Sequence, residues 1–364
     1  MYGIDEVILE YSRSDYSVHL SDFEYKIDCS LGTNPYGKSP ALKISQDAFD
    51  TIELYPEDNG ELVKGIIKYF DEVAELNTYN IAFGCGSIGT LLTINRMFLK
   101  PGKKILGIAP QFSAVIDDFN MYGADYNPVH LKKDNNYKFV LDDFLNELLK
   151  ISDAYIYIDN PNNPTGQVIP RHDLEIIISE AEKRNSFVVI DEAYGDYMDM
   201  EESAVALVEK FDNLAVVRTF SKGLGAAGIR LGYVIANKVF IDTFNTVNIP
   251  FSKSTIANYV AAQVINSGWH RENKQKIIEG KRRILGELST LKVGYTSEEI
   301  PISVIYCENE DIDLEKVMEK TGLKVVTCSG YVGLGKNAIR LNLHKDIDLL
   351  MDCLKETERF IKTV

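Results

Sequence analysis

Lys222 and Asp191 are the two residues whose positions most invite chemistry. Lys222 stands in "RTFSKGLGAAGIRLGY" (218–233), where the apolar run "LAVVRTF" opens into a glycine-rich turn. A lysine that attacks a carbonyl must be partly neutral, which desolvation and neighbouring cations promote. Taken alone, a loop lysine is more simply a solvated one. Asp191 changes that balance, because in "SFVVIDEAY" it follows four apolar residues at the end of a predicted central strand. A buried carboxylate needs a partner. A protonated pyridine nitrogen would suit: near 4 Å the attraction is ~4 kcal/mol at an effective dielectric of ~20. A ring held in that state is a strong electron sink. The spacing Gly223-x-Gly225-x-x-Gly228 also matches a dinucleotide fingerprint, which needs a helix after the turn. Here "GYVIA" starts a new strand-like run at Gly232. The glycines therefore serve the lysine's turn.

Other residues extend the same chemistry. "GCGSIGT" (84–90) leaves a strand and opens a helix, so free backbone N–H groups near Ser87 and Ile88 suit a phosphate, with Gly86 allowing close approach. Thr219 and Ser221 add hydroxyls, and Arg230 adds a planar cation. No Walker Gly-Lys-Ser/Thr makes this a nucleotide loop. "DNPNNPTG" (159–166) is a rigid turn in which Asn163 keeps its amide for a ligand. Tyr194 offers a phenol three residues after Asp191. Phe112, after the strand "KKILGIA", is either a ring that stacks on a heterocycle or part of the core.

These residues need strands to present them. From about 80 to 236 short apolar runs alternate with amphipathic stretches, which predicts an α/β fold with a mostly parallel sheet covered on both faces. Ligands of such sheets collect at the carboxyl ends of the strands, where the motifs lie. A helical region is expected from about Lys253 to Leu291, with a break at "NSGWH". The last 70 or so residues read as a small α+β unit. The expected division is an arm or part of the small domain over 1–35, a large domain over 36–275 and a small domain over 276–364. A net charge of −15 argues against duplex-DNA or anionic-membrane surfaces. Five scattered cysteines without Cys-x-x-Cys spacing suit reduced thiols in a cytoplasmic protein. The N-terminus shows no signal-peptide pattern, and no apolar run is long enough to span a membrane. The five histidines show no metal-ligand spacing, so no metal is expected.

The order "YP", "GSIGT", "PQF", "NPNNPTG", "DEAY", "TFSKGLGAAGIRLGY" and "IRLNL" resembles fold-type I pyridoxal-phosphate enzymes, nearest to class II aminotransferases of the histidinol-phosphate type. The resemblance runs from "SLGTNPYGKSP" to the C-terminus and implies that fold, with a large three-layer domain plus a small α+β domain. It implies that Lys222 forms the Schiff base with pyridoxal 5'-phosphate and later shuttles the proton. Asp191 would hold the pyridine nitrogen, with Tyr194 and Asn163 on the phenolic oxygen. Gly86, Ser87, Ile88, Thr219, Ser221 and Arg230 would cradle the phosphate, and Phe112 would stack on the ring. Tyr55, in "ELYPEDNG", matches a tyrosine that reaches the neighbouring subunit's cofactor, which implies a homodimer with shared sites. Arg340 would grip the substrate carboxylate, and Asn34 and Tyr36 would lie beside the substrate. The implied partners are a small amino donor and a 2-oxo acid acceptor, in amino-acid biosynthesis.

The departures leave the substrate open. The family's usual Asn-Glu-Asn-Pro appears as "LGTNPYG", without the glutamate. Histidinol-phosphate enzymes carry a further arginine in the stretch matching "LKVVTCSG", where only Lys324 stands. "IDCSLGTNPYG" also resembles the threonine-phosphate decarboxylase branch, and some relatives use oxygen as oxidant. Decarboxylation or oxidation on the same scaffold is the competing expectation, and a PLP-binding protein without turnover is a third.

Overall fold

The computed structural model describes residues 2–4, 6–13, 24–56 and 60–363; of the arm expected over 1–35, residues 1, 5 and 14–23 lie outside that description. Seven strands form the large sheet: β1 (Ile81–Gly84), β2 (Lys104–Leu106), β3 (Asp125–Tyr126), β4 (Tyr155–Asp159), β5 (Phe187–Asp191), β6 (Leu214–Thr219) and β7 (Gly232–Ala236). Their order is β1-β7-β6-β5-β4-β2-β3. All run parallel except β7, which is antiparallel to both β6 and β1.

The strands read as unbroken apolar runs because both faces are buried. Successive side chains go to opposite sides. Tyr155, Tyr157, Val189, Ala215 and Val217 pack with α2 (Gly86–Phe98), α3 (Ser113–Met121) and α6 (Lys238–Val247). Ile156, Ile158, Val188, Ile190 and Val216 pack on the other face. There they meet α1 (Glu61–Tyr69), α4 (Leu141–Leu148), α5 (Arg171–Glu182) and α7 (Thr255–Val264). The chain is thus α/β with helices on both faces of a mostly parallel sheet.

A second sheet is antiparallel throughout, in the order β8-β9-β11-β10: β8 (Lys292–Val293), β9 (Ile302–Tyr306), β10 (Val326–Thr327) and β11 (Ala338–Asn342). It shares a core with α8 (Trp269–Glu287), α9 (Leu314–Lys320) and α10 (Ile347–Ile361). The expected helical break falls between α7 and α8, at a left-handed Gly268. Ile27 and Cys29 of the N-terminal segment are buried in this second core, and Ile27–Asp28 pairs parallel with Leu323–Lys324. From there the segment crosses the lysine's turn. Asn34 Nδ2 donates to the Gly223 carbonyl at 2.8 Å. Gly225 has φ +68, and a Cβ there would lie 2.5 Å from the Gly37 carbonyl oxygen. The glycine turn therefore lets the N-terminal segment pass directly over the residues beside Lys222.

Among the described residues, no helix is long and apolar enough to cross a membrane, and no group of three His, Cys, Asp or Glu side chains could hold a metal ion.

Candidate active site

The carboxyl ends of β4, β5 and β6, the N-terminus of α2 and the middle of β11 surround a cavity of about 610 Å³. Lys222, Asp191, Tyr194, Asn163 and Phe112 line it, as do Ser87, Ile88, Ser221, Arg230 and Arg340. The residues from Ser87 to Arg230 meet in one place because the parallel strands deliver their carboxyl ends to the same edge, and the second sheet brings Arg340 to them.

Asp191 is 3 % exposed; its Oδ2 accepts from the Tyr157 hydroxyl at 3.0 Å and its Oδ1 from the Ala193 N–H at 3.0 Å. Burial pushes its carboxyl up to about 7, with the charge of Asp159 adding to the effect. Lys222 Nζ lies 5.3 Å from the centre of the Tyr194 ring and makes no hydrogen bond among the described residues. The Tyr194 hydroxyl is buried without a hydrogen-bond partner. Buried polar groups are seldom left so, and such a group inside a cavity points to a ligand.

At the other end, no side chain caps the N-terminus of α2, so its first N–H groups face the cavity wall formed by Ser87 and Ile88. Arg230 Nη1 is 3.5 Å from the Ser221 hydroxyl and donates to the Ala227 carbonyl at 2.9 Å. Gly86, with φ +70, is placed so that a Cβ would lie 2.8 Å from the Arg230 guanidinium.

Arg340 is 8 % exposed, yet no carboxylate is within ion-pair distance among the described residues. Its partners are neutral: the Asn163 amide oxygen at 3.3 Å, the Tyr331 hydroxyl at 3.4 Å and the Ser30 carbonyl at 2.5 Å. Its Nε has no partner. Ile339 and Leu341 point into the second core, so Arg340 turns to the opposite face, into the cavity. A buried guanidinium without a counter-charge is costly unless an anion joins it.

Four expected residues lie elsewhere. The Thr219 hydroxyl donates to Ser221 Oγ at 3.0 Å and approaches the Leu231 carbonyl at 3.3 Å, so it positions Ser221 rather than lining the cavity. Asn34 is a clamp, its Nδ2 on Gly223 and its Oδ1 accepting the Tyr36 N–H at 2.9 Å. The Tyr36 ring packs against the second core with Lys276 Nζ 5.4 Å from its centre. Tyr55 is 75 % exposed and stacks on Phe251 with ring centres 4.3 Å apart, outside its own chain's cavity.

The family model for aminotransferase class I and II matches residues 25–352. The chain belongs to the class I and II aminotransferases. The histidinol-phosphate aminotransferase of Thermoanaerobacter pseudethanolicus is 30 % identical over 350 residues, covering 94 % of this chain and 95 % of that one. In fold, the aminotransferase matches the crystal structure of the Clostridium acetobutylicum histidinol-phosphate aminotransferase at TM-score 0.79 and 22 % identity, over 92 % of this chain and 99 % of that one. The Sinorhizobium meliloti histidinol-phosphate aminotransferase, solved in complex with pyridoxal-5'-phosphate, matches at TM-score 0.79 and 20 % identity, over 93 % and 92 % of the two chains. The family is pyridoxal-phosphate-dependent, and this chain is an enzyme of that type.

The aminotransferase's own residues fit the cofactor. The cavity offers a buried carboxylate for the ring nitrogen, an unpartnered phenol for the phenolic oxygen, a lysine amine beside it, and a helix N-terminus with an arginine for the phosphate. The Asn163 oxygen accepts from Arg340 and Tyr331, which leaves its NH2 as a further group that could hold the cofactor.

Sequence reasoning passed over Asp159. It ends "AYIYID" as Asp191 ends "SFVVID", and the two are register partners on β4 and β5. Asp159 accepts from Asn162 Nδ2 (2.9 Å), Gln111 Nε2 (3.3 Å) and the N–H groups of Asn163 (2.9 Å) and Phe112 (3.3 Å). One carboxylate thus holds both the Phe112 loop and the Asn163 turn. The repeated strand ending was the available signal. Tyr331, from a loop 168 residues beyond Asn163, left no pattern to find.

Proposed function

We propose that the enzyme moves an amino group between an α-amino acid and a 2-oxo acid, with Arg340 holding the donor's carboxylate. The observation that carries this is the buried guanidinium of Arg340 on the cavity wall, partnered only by neutral groups. A planar anion taken bidentately is what such a group fits best. Bound in the cavity, pyridoxal phosphate supplies a carbonyl for the amine and an electron sink for the bond that breaks. Asp191 would keep the proton on the ring nitrogen, and Tyr194 and Asn163 would donate to the phenolic oxygen. Ser87, Ile88, Ser221 and Arg230 would hold the phosphate, and Phe112 would lie beside the ring. With the carboxylate fixed on Arg340, the donor's α-carbon is turned towards Lys222 Nζ, which takes the α-proton as a general base. Asn163 touches both the ring side and Arg340, so it couples the donor's position to the cofactor's.

The free thiols, four buried and Cys85 exposed, support a reducing cytoplasmic setting. The exposure of Tyr55 supports a homodimer in which that ring serves the partner's site.

The decisive experiment begins with borohydride reduction of the holoenzyme and peptide mass spectrometry, which should find the cofactor attached at Lys222. Attachment at any other lysine removes the assignment. Lys222→Ala should retain cofactor noncovalently and lose turnover by at least 10³-fold, in line with the ~10²–10⁴ that general acid–base catalysis contributes. Product analysis should then give a 2-oxo acid without carbon dioxide or peroxide; either of those products would instead mark a decarboxylase or an oxidase.

A further inference from the structure

The Asn163 amide can face the cavity with either end, because its last torsion has two broad wells and hydrogen bonds decide between them. Its oxygen is claimed twice: Arg340 Nη1 and the Tyr331 hydroxyl each donate to Asn163 Oδ1 at 3.3 Å. Arg340 Nη1 also donates to the Tyr331 hydroxyl oxygen, at 3.4 Å, so the three groups close a triangle. Two donors on one side turn the Asn163 oxygen towards them and its NH2 away. Arg340 alone is an insecure hold. Both hydrogens of its Nη1 are in use here, and a carboxylate that binds the guanidinium draws on the same fork. Tyr331 has a rigid setting. It lies in the 328–337 connection between β10 and β11, its N–H donating to the Cys328 carbonyl at 2.9 Å and its carbonyl accepting the Leu334 N–H at 3.1 Å. The ring packs in a cluster with Leu131, Tyr137, Val304 and Tyr306 and is not part of the cavity wall. Burial pushes the phenol up to about 12, with Arg340 opposing and Cys328, Tyr194 and Asp159 adding to the rise. It is therefore neutral at ordinary pH and leaves the charge of Arg340 for a donor's carboxylate.

We propose that Tyr331 is a positioning residue: its hydroxyl keeps the Asn163 NH2 turned to the cofactor's phenolic oxygen while a donor's carboxylate draws on Arg340. The proposal rests on the readings of Asn163 as a donor to that oxygen and of Arg340 as the carboxylate anchor. Phenylalanine at 331 would fill the same space and leave Asn163 Oδ1 with Arg340 alone. The amide would then follow the guanidinium, and the phenolic oxygen would receive less hydrogen bonding. An oxygen that accepts fewer hydrogen bonds is more basic. The proton it shares with the nitrogen of cofactor-bound Lys222 would be held more tightly, and the pH at which the bound cofactor changes its visible band would rise. Loss of packing alone lowers Tm without moving that pH.

The test needs no substrate. The visible band of the holoenzyme is titrated against pH, and the cofactor-free protein is titrated with pyridoxal phosphate. In Tyr331→Phe the midpoint should rise by about 0.4–1 pH unit and the cofactor's dissociation constant about two- to tenfold, the worth of one ordinary hydrogen bond. The difference in midpoint from wild type should widen in saturating pentanoate, a carboxylate without an α-amine. In an Asn163→Ala background the same substitution should change neither quantity. Tyr306→Phe is the control, since it deletes a hydroxyl from the same cluster where that group bonds Asn136 Oδ1 at 3.2 Å, and it should leave both quantities where wild type has them. An unmoved midpoint and affinity in Tyr331→Phe, an effect of equal size in the Asn163→Ala background, or an equal effect from Tyr306→Phe would overturn the proposal. If Asn163→Ala by itself moves the midpoint and Tyr331→Phe does not, the reading of Asn163 stands and only the role of Tyr331 is lost. If Asn163→Ala moves neither quantity, that reading fails first and the proposal falls with it.

Discussion

Asp159 and Asp191 end neighbouring strands in register, 2 % and 3 % exposed, and each makes the other's charge harder to bear. Burial pushes Asp159 up to about 6 against four opposing donors; Asp191, up to about 7, is opposed by Tyr157, the Ala193 N–H and Lys222. Both start from an ordinary value of 3.8. A carboxyl raised in the native state binds its proton more tightly there than in the unfolded chain. It therefore favours folding below about pH 4, and that contribution is lost as pH climbs through 6 and 7. Asp191→Asn removes the titration at one site. In the cofactor-free protein, the Tm of this variant should gain on wild type steadily from pH 5 to pH 8, as read by scanning calorimetry. A gap independent of pH would refute the account. With a pyridinium in place the sign reverses, because the charged carboxylate is then wanted, and the same variant should hold cofactor less tightly than wild type. Lys222, Asp191 and Asn163 were legible because each stands in a local context that restricts it: a strand end, a glycine turn, a proline pair. Thr219, Asn34 and Tyr36 do not line the cavity, since their neighbours across space decide where a hydroxyl, an amide or a ring points. The spacing of motifs carries none of that.

Strands and helices present these residues only if their ends meet closely, as β7 and α2 do. Gly232 begins β7 directly beneath the first turn of α2. A Cβ there would stand 2.4 Å from the Gly86 carbonyl carbon and 2.5 Å from the Ser87 nitrogen, both backbone atoms. Neither can move without shifting the helix N-terminus. Gly232→Ala should therefore lower stability by about 1–3 kcal/mol, as overpacking does, and raise the dissociation constant for pyridoxal phosphate at least tenfold. Gly286→Ala, where a Cβ meets nothing within 4 Å, is the control and should raise Tm slightly if anything. Thermal melts and cofactor titration of the two variants check this; a Gly232→Ala protein with unaltered cofactor affinity would show that the helix N-terminus does not hold the phosphate. The strand–helix alternation and the break before α8 were readable from apolar period and turn residues. The antiparallel sense of β7 was not, because "GYVIA", buried on both faces, is the same pattern in either direction. The split of "KKILGIA" into Lys104–Leu106 and Ile108–Ala109 was equally hidden: Gly107 lies where a Cβ would strike the Gln111 side chain and the Tyr157 carbonyl.

At the scale of the whole molecule, the surface carries large apolar side chains that a lone chain has little reason to expose. Ile44, Ile52, Leu54, Tyr55, Ile249 and Phe251 are each more than half exposed. Tyr55 and Phe251 stack on each other. The 248–252 loop is tied to the sheet beside the phosphate cradle, with Asn248 Nδ2 and the Ser252 hydroxyl both donating to the Phe83 carbonyl on β1. Exposed apolar side chains of this kind suit an interface, and a homodimer would make it isologous, so that whatever one subunit gives the other would also receive. If Tyr55 crosses to the partner's cofactor, each site draws Lys222 from one chain and Tyr55 from the other. Sedimentation should then show a dimer, and replacing Leu54 and Phe251 with aspartate should yield monomers that shed cofactor. Mixing decides who owns the tyrosine. Lys222→Ala and Tyr55→Ala subunits, refolded or exchanged together, form heterodimers with both lesions in one site and neither in the other, so activity should return, approaching a quarter of wild type per total subunit with random pairing. If instead Tyr55 serves its own chain, every heterodimer site keeps one lesion, no wild-type site is rebuilt, and the mixture is no more active than the average of its parts.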